Sequence, residues 1–433
     1  MTERPSVFAI DFGTSNSLLA AAGGGRVFAE APLDPGAEDP TVLQSALYFL
    51  GAEAPAFGVA APREFVKNGL RGRLIRSIKR HLPSPSFTAT RIGDRSRTLP
   101  ELVGMFLTTM RERACRHFGT DVDRVVLGRP ARFSANERED ALAEERLREA
   151  ARLSGFRDVT LCPEPVAAAY DFAEELTEPR TVLVADLGGG TSDFSLVRLG
   201  HGAFRPEDVL SVGGVPVAGD AIDGSLVRAR VAPELGSNAR YRAPFGGNEL
   251  TMPRDLVDLL CSSADLTLVD RRRVLERVAN MRAGLIDPDE AELLERYAAV
   301  VEDGVGFQLF EAVEHAKRML SDAERARIEL DYPGVELSLE VTKPELARAA
   351  APLVDRIVGA LDETLRSANL APSAVDIVSL TGGTSRMPLL EHALRTRLPS
   401  AKFHRLKSFH SVVRGLARKA AELDASTRSI GAA

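Results

Sequence analysis

The 433-residue sequence predicts an α/β protein made of two related halves. Three observations carry that reading. Short apolar runs with strand character alternate with segments of helical periodicity along most of the chain. Two of those runs open matching units, AIDFGTSNSLLA from Ala9 and VADLGGGTSDFSLV from Val184, which share a strand, an Asp-x-Gly turn, a Thr-Ser pair and a second strand. Their separation is far longer than any solenoid period, so they mark a duplication rather than a repeat array. Finally, three glycine-bearing turns each leave a buried strand, and strand ends are where α/β architectures hold ligands.

The elements follow in order. Val7 to Phe12 is an apolar strand, Asp11-Phe12-Gly13-Thr14-Ser15-Asn16-Ser17 a tight polar turn, and Leu18 to Ala22 a second strand. Residues 30–60, rich in proline and glycine, read as loops and irregular strands, and residues 63–82 and 101–118 as helices. Val125 to Leu127 is a buried strand stopped by Gly128-Arg129-Pro130, and Asn136 to Leu153 is a helix with Gly155 as its C-terminal stop. Pro163-Glu164-Pro165 leads into a helix from Val166 to Leu176, since a first turn tolerates proline. After the second hairpin, Thr181 to Leu199, residues 224–300 carry many Arg, Asp and Glu around helical segments and read as an inserted subdomain. Gly304 to Leu320 is a helix, Ala326 to Leu339 a strand pair turning at Tyr332-Pro333-Gly334, and Leu346 to Asn369 a long helix. A buried strand, Val375 to Leu380, runs into Thr381-Gly382-Gly383-Thr384-Ser385-Arg386. From about residue 420 the chain is small and polar, so its end is expected to fray.

Composition narrows the function. With 44% hydrophobic and 27% charged residues, the chain is an ordinary globular protein long enough for more than one domain. A net charge of −6 and a pI near 5.8 argue against nucleic acid, which wants a basic face. The opening MTERPSVFAIDFGTS lacks a secretory layout, and no apolar run is long enough to span a membrane, so a cytoplasmic protein is expected. Cys115, Cys162 and Cys261 are odd in number and scattered, which gives neither a disulfide framework nor a zinc site.

Glycine lets backbone N–H groups approach an anion, and the hydroxyls of Thr14, Ser15 and Thr191 can donate to phosphate oxygens. Asp11, Asp186 and Asp193 flank the same turns. If the halves face each other, these carboxylates converge, and two such charges about 5 Å apart repel by roughly 3 kcal/mol at an effective dielectric near 20. A divalent cation removes that repulsion, and beside a polyphosphate Mg²⁺ held largely through water is the expected one. Solvated turn aspartates are the alternative. Lysine is scarce, seven of 55 basic residues, and Lys79 in Ser77-Ile78-Lys79-Arg80 can act as a point charge on a phosphoryl group or be a solvated helix lysine. Glu314, Lys317 and Ser321, at i, i+3 and i+7, share one helix face. That stripe suits a ribose and a base edge, or else is an ion pair in water beside a serine. Arg386, after Gly382-Gly383, can stack on a base or simply lie on the surface.

Together these segments resemble the actin-like ATPase superfamily, and most closely the DnaK-type heat-shock chaperones. AIDFGTSNS is similar to the family's first phosphate loop, SIKRHL to its catalytic-lysine segment and VLGRPARF to its switch-proline strand. EPVAAAY resembles its Glu-Pro helix start, ADLGGGTSDFS its second phosphate loop, EHAKRMLS its adenosine helix and LTGGTSRMP the loop before the base. Within the family the chain looks closest to YegD-like proteins, which consist of the ATPase part only, and FHSVVRGLARKA resembles their last helix. Phe409 stands where DnaK-type proteins carry an aspartate.

The resemblance implies an actin-like fold of two ribonuclease-H-like lobes. Lobe I would be residues 1–185 with an inserted subdomain at about 30–118, and lobe II residues 186–405 with an inserted subdomain at about 224–341. Residues 406–433 would be a C-terminal helix returning to lobe I, followed by a frayed tail. It implies ATP or ADP with Mg²⁺, and K⁺ as a second candidate cation. Asp11, Asp186 and Asp193 would hold the hydrated metal, with Gly13, Thr14, Ser15, Asn16, Gly188, Gly189, Gly190 and Thr191 around the phosphates. Lys79 and Glu164 would orient the attacking water, and Glu314, Lys317, Ser321, Gly382, Gly383 and Arg386 would clasp the adenosine. Pro130 and Arg152 match the pair that relays nucleotide state. The implied function is slow ATP hydrolysis that opens and closes the lobes, sensed by an unidentified protein partner, in a monomer without a peptide-clamping domain. A non-catalytic nucleotide-binding scaffold and a small-molecule kinase of the sugar-kinase branch are the alternatives.

Overall fold

The computed structural model describes residues 4–51, 54–172, 178–200, 205–242, 247–405 and 410–431. Phe409, the departure from the family pattern, lies outside them. The first sheet contains β1 (Val7–Phe12), β2 (Asn16–Gly23), β3 (Arg26–Phe28), β4 (Arg124–Arg129) and β5 (Asp158–Pro163). The second contains β6 (Arg180–Leu187), β7 (Ser192–Leu199), β8 (Val209–Val215), β9 (Ile377–Thr381) and β10 (Lys402–Arg405). Their orders are β5-β4-β1-β2-β3, with the short strand Leu43–Gln44 added beside β2, and β10-β9-β6-β7-β8. In each sheet the leading hairpin and its third strand are antiparallel, and the two later strands join the leading strand's other side in parallel. The duplication seen in the two hairpin sequences therefore extends to whole sheets of one topology.

Parallel neighbours need crossover helices, and these supply the layers. α1 (Leu99–Phe118) precedes β4 and starts on a capping box, in which the Thr98 hydroxyl and the Glu101 carboxylate each accept from the other's backbone N–H. α2 (Glu137–Leu153) connects β4 to β5 and is capped by Asn136, whose side chain accepts from the N–H of Arg138 and Glu139. α3 (Glu164–Phe172) follows β5, and α4 (Pro388–Arg397) links β9 to β10. β1, β2, β6 and β7 are buried on both faces, which is why they read as continuous apolar runs rather than alternating ones. Each large aliphatic side chain so buried contributes about 1.5–3 kcal/mol.

The last helix, α5 (Ser411–Gly431), packs on α3, β1 and β2. The approach is close enough that a Cβ on Gly415 would lie 1.7 Å from the carbonyl oxygen of Ala167. Fraying is expected from residue 420, whereas the helix continues there with Ala420 and Ala421 buried and Asp424 tied down. Its carboxylate accepts from the Ser6 hydroxyl (2.8 Å), the Gly24 N–H (2.9 Å) and Arg124 (3.2 Å).

The helix expected over 63–82 is also corrected. Helix Ala60–Lys67 stops at Asn68-Gly69, a strand Arg73–Arg76 follows, and Ile78–His81 is a single 3₁₀ turn. Gly69 and Gly72 in left-handed conformation break the helical register there.

The chain forms two compact units, one of residues 1–64, 77–219 and 355–433, the other of residues 65–76 and 220–354. Both large sheets belong to the first, and the lobe boundary expected at 185/186 falls within β6. The second unit is mostly helical, with a hairpin of strands Arg325–Leu330 and Leu337–Thr342 and with Tyr297 buried in its core, donating to the carbonyl of Leu256 at 2.9 Å.

Candidate functional site

Topology brings two hairpin turns together within the first unit. Asp11 is the penultimate residue of β1 and Asp186 the penultimate residue of β6, so each carboxylate stands where its strand enters the turn. The turns touch. A Cβ on Gly190 would lie 2.6 Å from the hydroxyl oxygen of Thr14, so this position admits no side chain without displacing that threonine. A third turn joins them, as Thr384, in the short helix Gly383–Arg386, donates to the carbonyl of Gly188 at 2.6 Å.

A cavity of about 480 Å³ opens beside the contact, and Thr14, Lys79, Pro130, Gly190 and Thr191 are in its wall. Lys79 is buried and its ammonium donates to Glu164 at 2.5 Å. Asp193, also buried, accepts from the backbone N–H of Ala131 at 2.7 Å through one oxygen, while its other oxygen is buried with no hydrogen-bond partner. In the β6–β7 ladder Asp186 lies directly opposite Asp193, a like-charge pairing that a sheet ordinarily avoids.

The electrostatics follow from that crowding. Burial, then Glu164 and Asp193, push Asp186 up to about 8. Burial and Glu164 push Asp193 up to about 7, although hydrogen bonds from Thr191 and Ala131 act in the opposite sense. Asp11 is raised well above the carboxylate range by burial, then by Glu164 and Asp186. For Lys79, burial favours the neutral amine, but Glu164 and Asp11 outweigh it and the net shift is upward. Four carboxyls thus surround one ammonium, a site short of positive charge.

That deficit is the test of whether the residues fit a cation. An orphaned buried carboxylate oxygen on Asp193 and two further buried carboxyls with raised pKa values make a site that bound positive charge would stabilise. Among the described residues, no group of three or more His, Cys, Asp or Glu side chains is drawn into a direct metal-ligand set. An ion that keeps most of its water, as Mg²⁺ does, needs only one or two carboxylates near it, which Asp11, Asp186 and Asp193 can supply.

Of the residues singled out from sequence, Asp11, Thr14, Lys79, Glu164, Asp186, Gly190, Thr191 and Asp193 come together here. Gly13, Ser15 and Asn16 complete the first turn, and Gly188 and Gly189 the second. Ser45 underpins the first turn, donating to the Gly13 carbonyl at 2.8 Å and sharing a 2.9 Å hydrogen bond with Ser17. The residues expected around adenosine divide between the units. Gly382, Gly383 and Arg386 belong to the first, and Glu314, Lys317 and Ser321 to the second, on helix Gly306–Asp322. There Lys317 is buried and donates to Asp223 at 2.7 Å, while Glu314 pairs with Arg318 at 2.7 Å on the same helix. Sequence reasoning missed Ser45, Ala131 and Asp223, which act from outside every glycine motif.

Two duplicated sheets of this topology, with facing glycine turns and a cavity beside them, define the actin-like ATPase fold. The model of the Hsp70 protein family matches residues 77–230 and 302–429, well over half of the chain. The chain belongs to the Hsp70 family. Its members are ATP-binding chaperones and ATPases that use ATP or ADP with Mg²⁺. The matched stretches contain Lys79, Pro130, Glu164, the whole second hairpin, helix Gly306–Asp322 and the Gly382-Gly383 loop; the first hairpin precedes them. Among the described residues no helix is long and apolar enough to cross a membrane.

Proposed function

We propose that this chain binds Mg·ATP at the paired hairpins and hydrolyses it slowly. Nucleotide state would then set how far the two lobes open, and a protein partner in the cytoplasm would sense the change. The observation that carries the proposal is Lys79, in the wall of the cavity where the Thr14 and Gly190 turns meet, with its ammonium held in a buried ion pair by Glu164. Asp11, Asp186 and Asp193 would hold the hydrated Mg²⁺, which would supply charge neutralisation to the phosphate oxygens. The hydroxyls of Thr14 and Thr191 and the N–H groups of the two glycine turns donate to those oxygens. Glu164 accepts a hydrogen bond from Lys79 and keeps its ammonium directed at the transferring group, and Lys79 stabilises the charge that develops there. Positioning and preorganised charge account for most of the barrier reduction in such phosphoryl transfers. Asp193 links this site to the N–H of Ala131, next to Pro130, and so offers a route by which occupancy reaches the end of β4.

Calorimetric titration with Mg·ATP together with single-turnover phosphate release tests the reading. Wild-type protein should bind and hydrolyse, and Lys79→Ala or Asp186→Ala should lower turnover by about a hundredfold or more, the scale of losing one preorganised electrostatic group. Binding without any phosphate release in the wild type would make the chain a nucleotide-dependent scaffold instead.

A further inference from the structure

Lys79 occupies an element with little stability of its own. Ile78–His81 is one turn of 3₁₀ helix, too short to persist alone. It begins after Ser77, a buried non-glycine residue held at φ 53°, and ends in a loop, His81 to Phe87, that contains Pro83 and Pro85. Proline has no N–H, so the loop is poor in donors while its carbonyls still need partners.

Backbone N–H groups of Ser84 and Phe87 reach the carbonyls of His81 and Ser84, and one side chain gathers the loop as a whole. Arg146, on α2, donates from one guanidinium nitrogen to the carbonyls of Leu82 and Ser84, both at 2.8 Å, with a longer contact of 3.5 Å to His81. Its other terminal nitrogen donates to the carbonyl of Phe87 at 3.0 Å. The same helix contributes Glu139 to the cavity wall and braces the segment Arg129 to Ser134 beside it. Asp140 accepts from Arg129 at 3.0 Å and from the Phe133 N–H at 2.6 Å, and Glu139 accepts from Ser134 at 2.6 Å. A planar fork of donors that gathers four carbonyls of one loop fixes that loop as a rigid body, which no single hydrogen bond can do.

Building on the ATPase reading above, we propose that Arg146 is a positioning residue for Lys79. By clamping the His81–Phe87 loop to α2, it holds the single helical turn so that the Lys79 ammonium stays on Glu164 and in the cavity wall. Arg146 touches neither nucleotide nor metal. Its effect is on turnover and on the burial of Lys79, with nucleotide affinity left unchanged.

Amine acetylation of the nucleotide-free protein, read at each lysine by mass spectrometry, tests this without any reference to hydrolysis. Wild-type Lys79 should label slowly and exposed Lys402 rapidly. Arg146→Ala should raise the Lys79 rate about tenfold or more by freeing the turn to open locally, with Lys402 unaffected. Arg146→Lys, which keeps the charge but not the fork, should fall between the two. Arg148→Ala, which removes a 2.9 Å contact from the same helix to the Val159 carbonyl, should leave Lys79 protected. In single-turnover assays Arg146→Ala should slow hydrolysis by about a hundredfold, the cost of a displaced catalytic group, with Mg·ATP affinity within about twofold of wild type. Unchanged Lys79 labelling in Arg146→Ala, or equal labelling in Arg146→Ala and Arg148→Ala, would overturn the assignment. A wild type that does not hydrolyse ATP would sink the ATPase reading, while the labelling result would still decide the role of Arg146.

Discussion

Asp223 shows what a single buried carboxylate does in this protein. It lies 94 residues from Lys317 in sequence and 2.7 Å from its ammonium in the fold. Burial pushes its pKa up to about 7, with Lys317 pulling the other way, and its second oxygen is buried with no hydrogen-bond partner. Because the folded-state pKa lies above the ordinary 3.8, the folded chain takes up this proton before the unfolded one. The contribution of Asp223 to stability therefore falls as pH rises from about 4 to about 7 and is flat above that window. Replacing Asp223 by Asn, which cannot ionise, should remove that pH dependence from urea unfolding. The wild-type advantage over the variant should widen as pH falls from 8 to 5. An advantage that stays constant over that range would mean that Lys317 holds Asp223 ionised throughout. At this scale the sequence was partly legible. The spacing of Glu314, Lys317 and Ser321 located one helix face, but neither reading of that stripe included Asp223, because tertiary pairing across 94 residues leaves no local pattern.

At the scale of elements, α5 is the most instructive. Its end reads as a small, polar tail, and the expectation of fraying follows from composition alone. What holds it is a buried acid, Asp424, whose three donors come from Ser6, Gly24 and Arg124 in the first lobe. Substituting Asp424 by Ala should remove those partners and leave the Gly24 N–H unsatisfied, at about 1–3 kcal/mol. Hydrogen exchange should then show the last two turns of α5 opening while its first two, which carry Val412, Val413 and Leu416, stay protected. Uniform loosening of the whole helix would show instead that α5 docks as one cooperative unit. The segment 63–82 went astray for a related reason. Its apolar residues have helical spacing, but Asn68-Gly69 and Gly72 punctuate it, and the buried Leu74 and Ile75 belong to a strand. Capped helices such as α1 and α2 were legible because their start signals are local, Thr98 with Glu101 and Asn136 before Glu137.

For the whole molecule, duplication is the organising fact, and it was visible in sequence because each half carries its own copy of the Asp-x-Gly hairpin. The strand order of the sheets was not visible in the residues themselves, since parallel pairing with β4 and β9 depends on segments remote from the hairpins. The same duplication makes a prediction about how the halves meet. If the two turns press together as Gly190 and Thr14 do here, Gly190→Ala must push the Thr14 hydroxyl away from the phosphate position. Mg·ATP affinity should drop about tenfold, with a stability loss of about 1 kcal/mol, the low end for an added methyl in a tight contact. Thr14→Ala alone should weaken binding to a similar degree by deleting the donor. The two effects share one cause, so the double variant should bind about as well as either single one rather than about a hundredfold worse. Isothermal titration of the four proteins, repeated after chelation of Mg²⁺, reads this directly. Fully additive losses would mean that the turns act on nucleotide independently, and that the close approach of Gly190 to Thr14 plays no part in holding it.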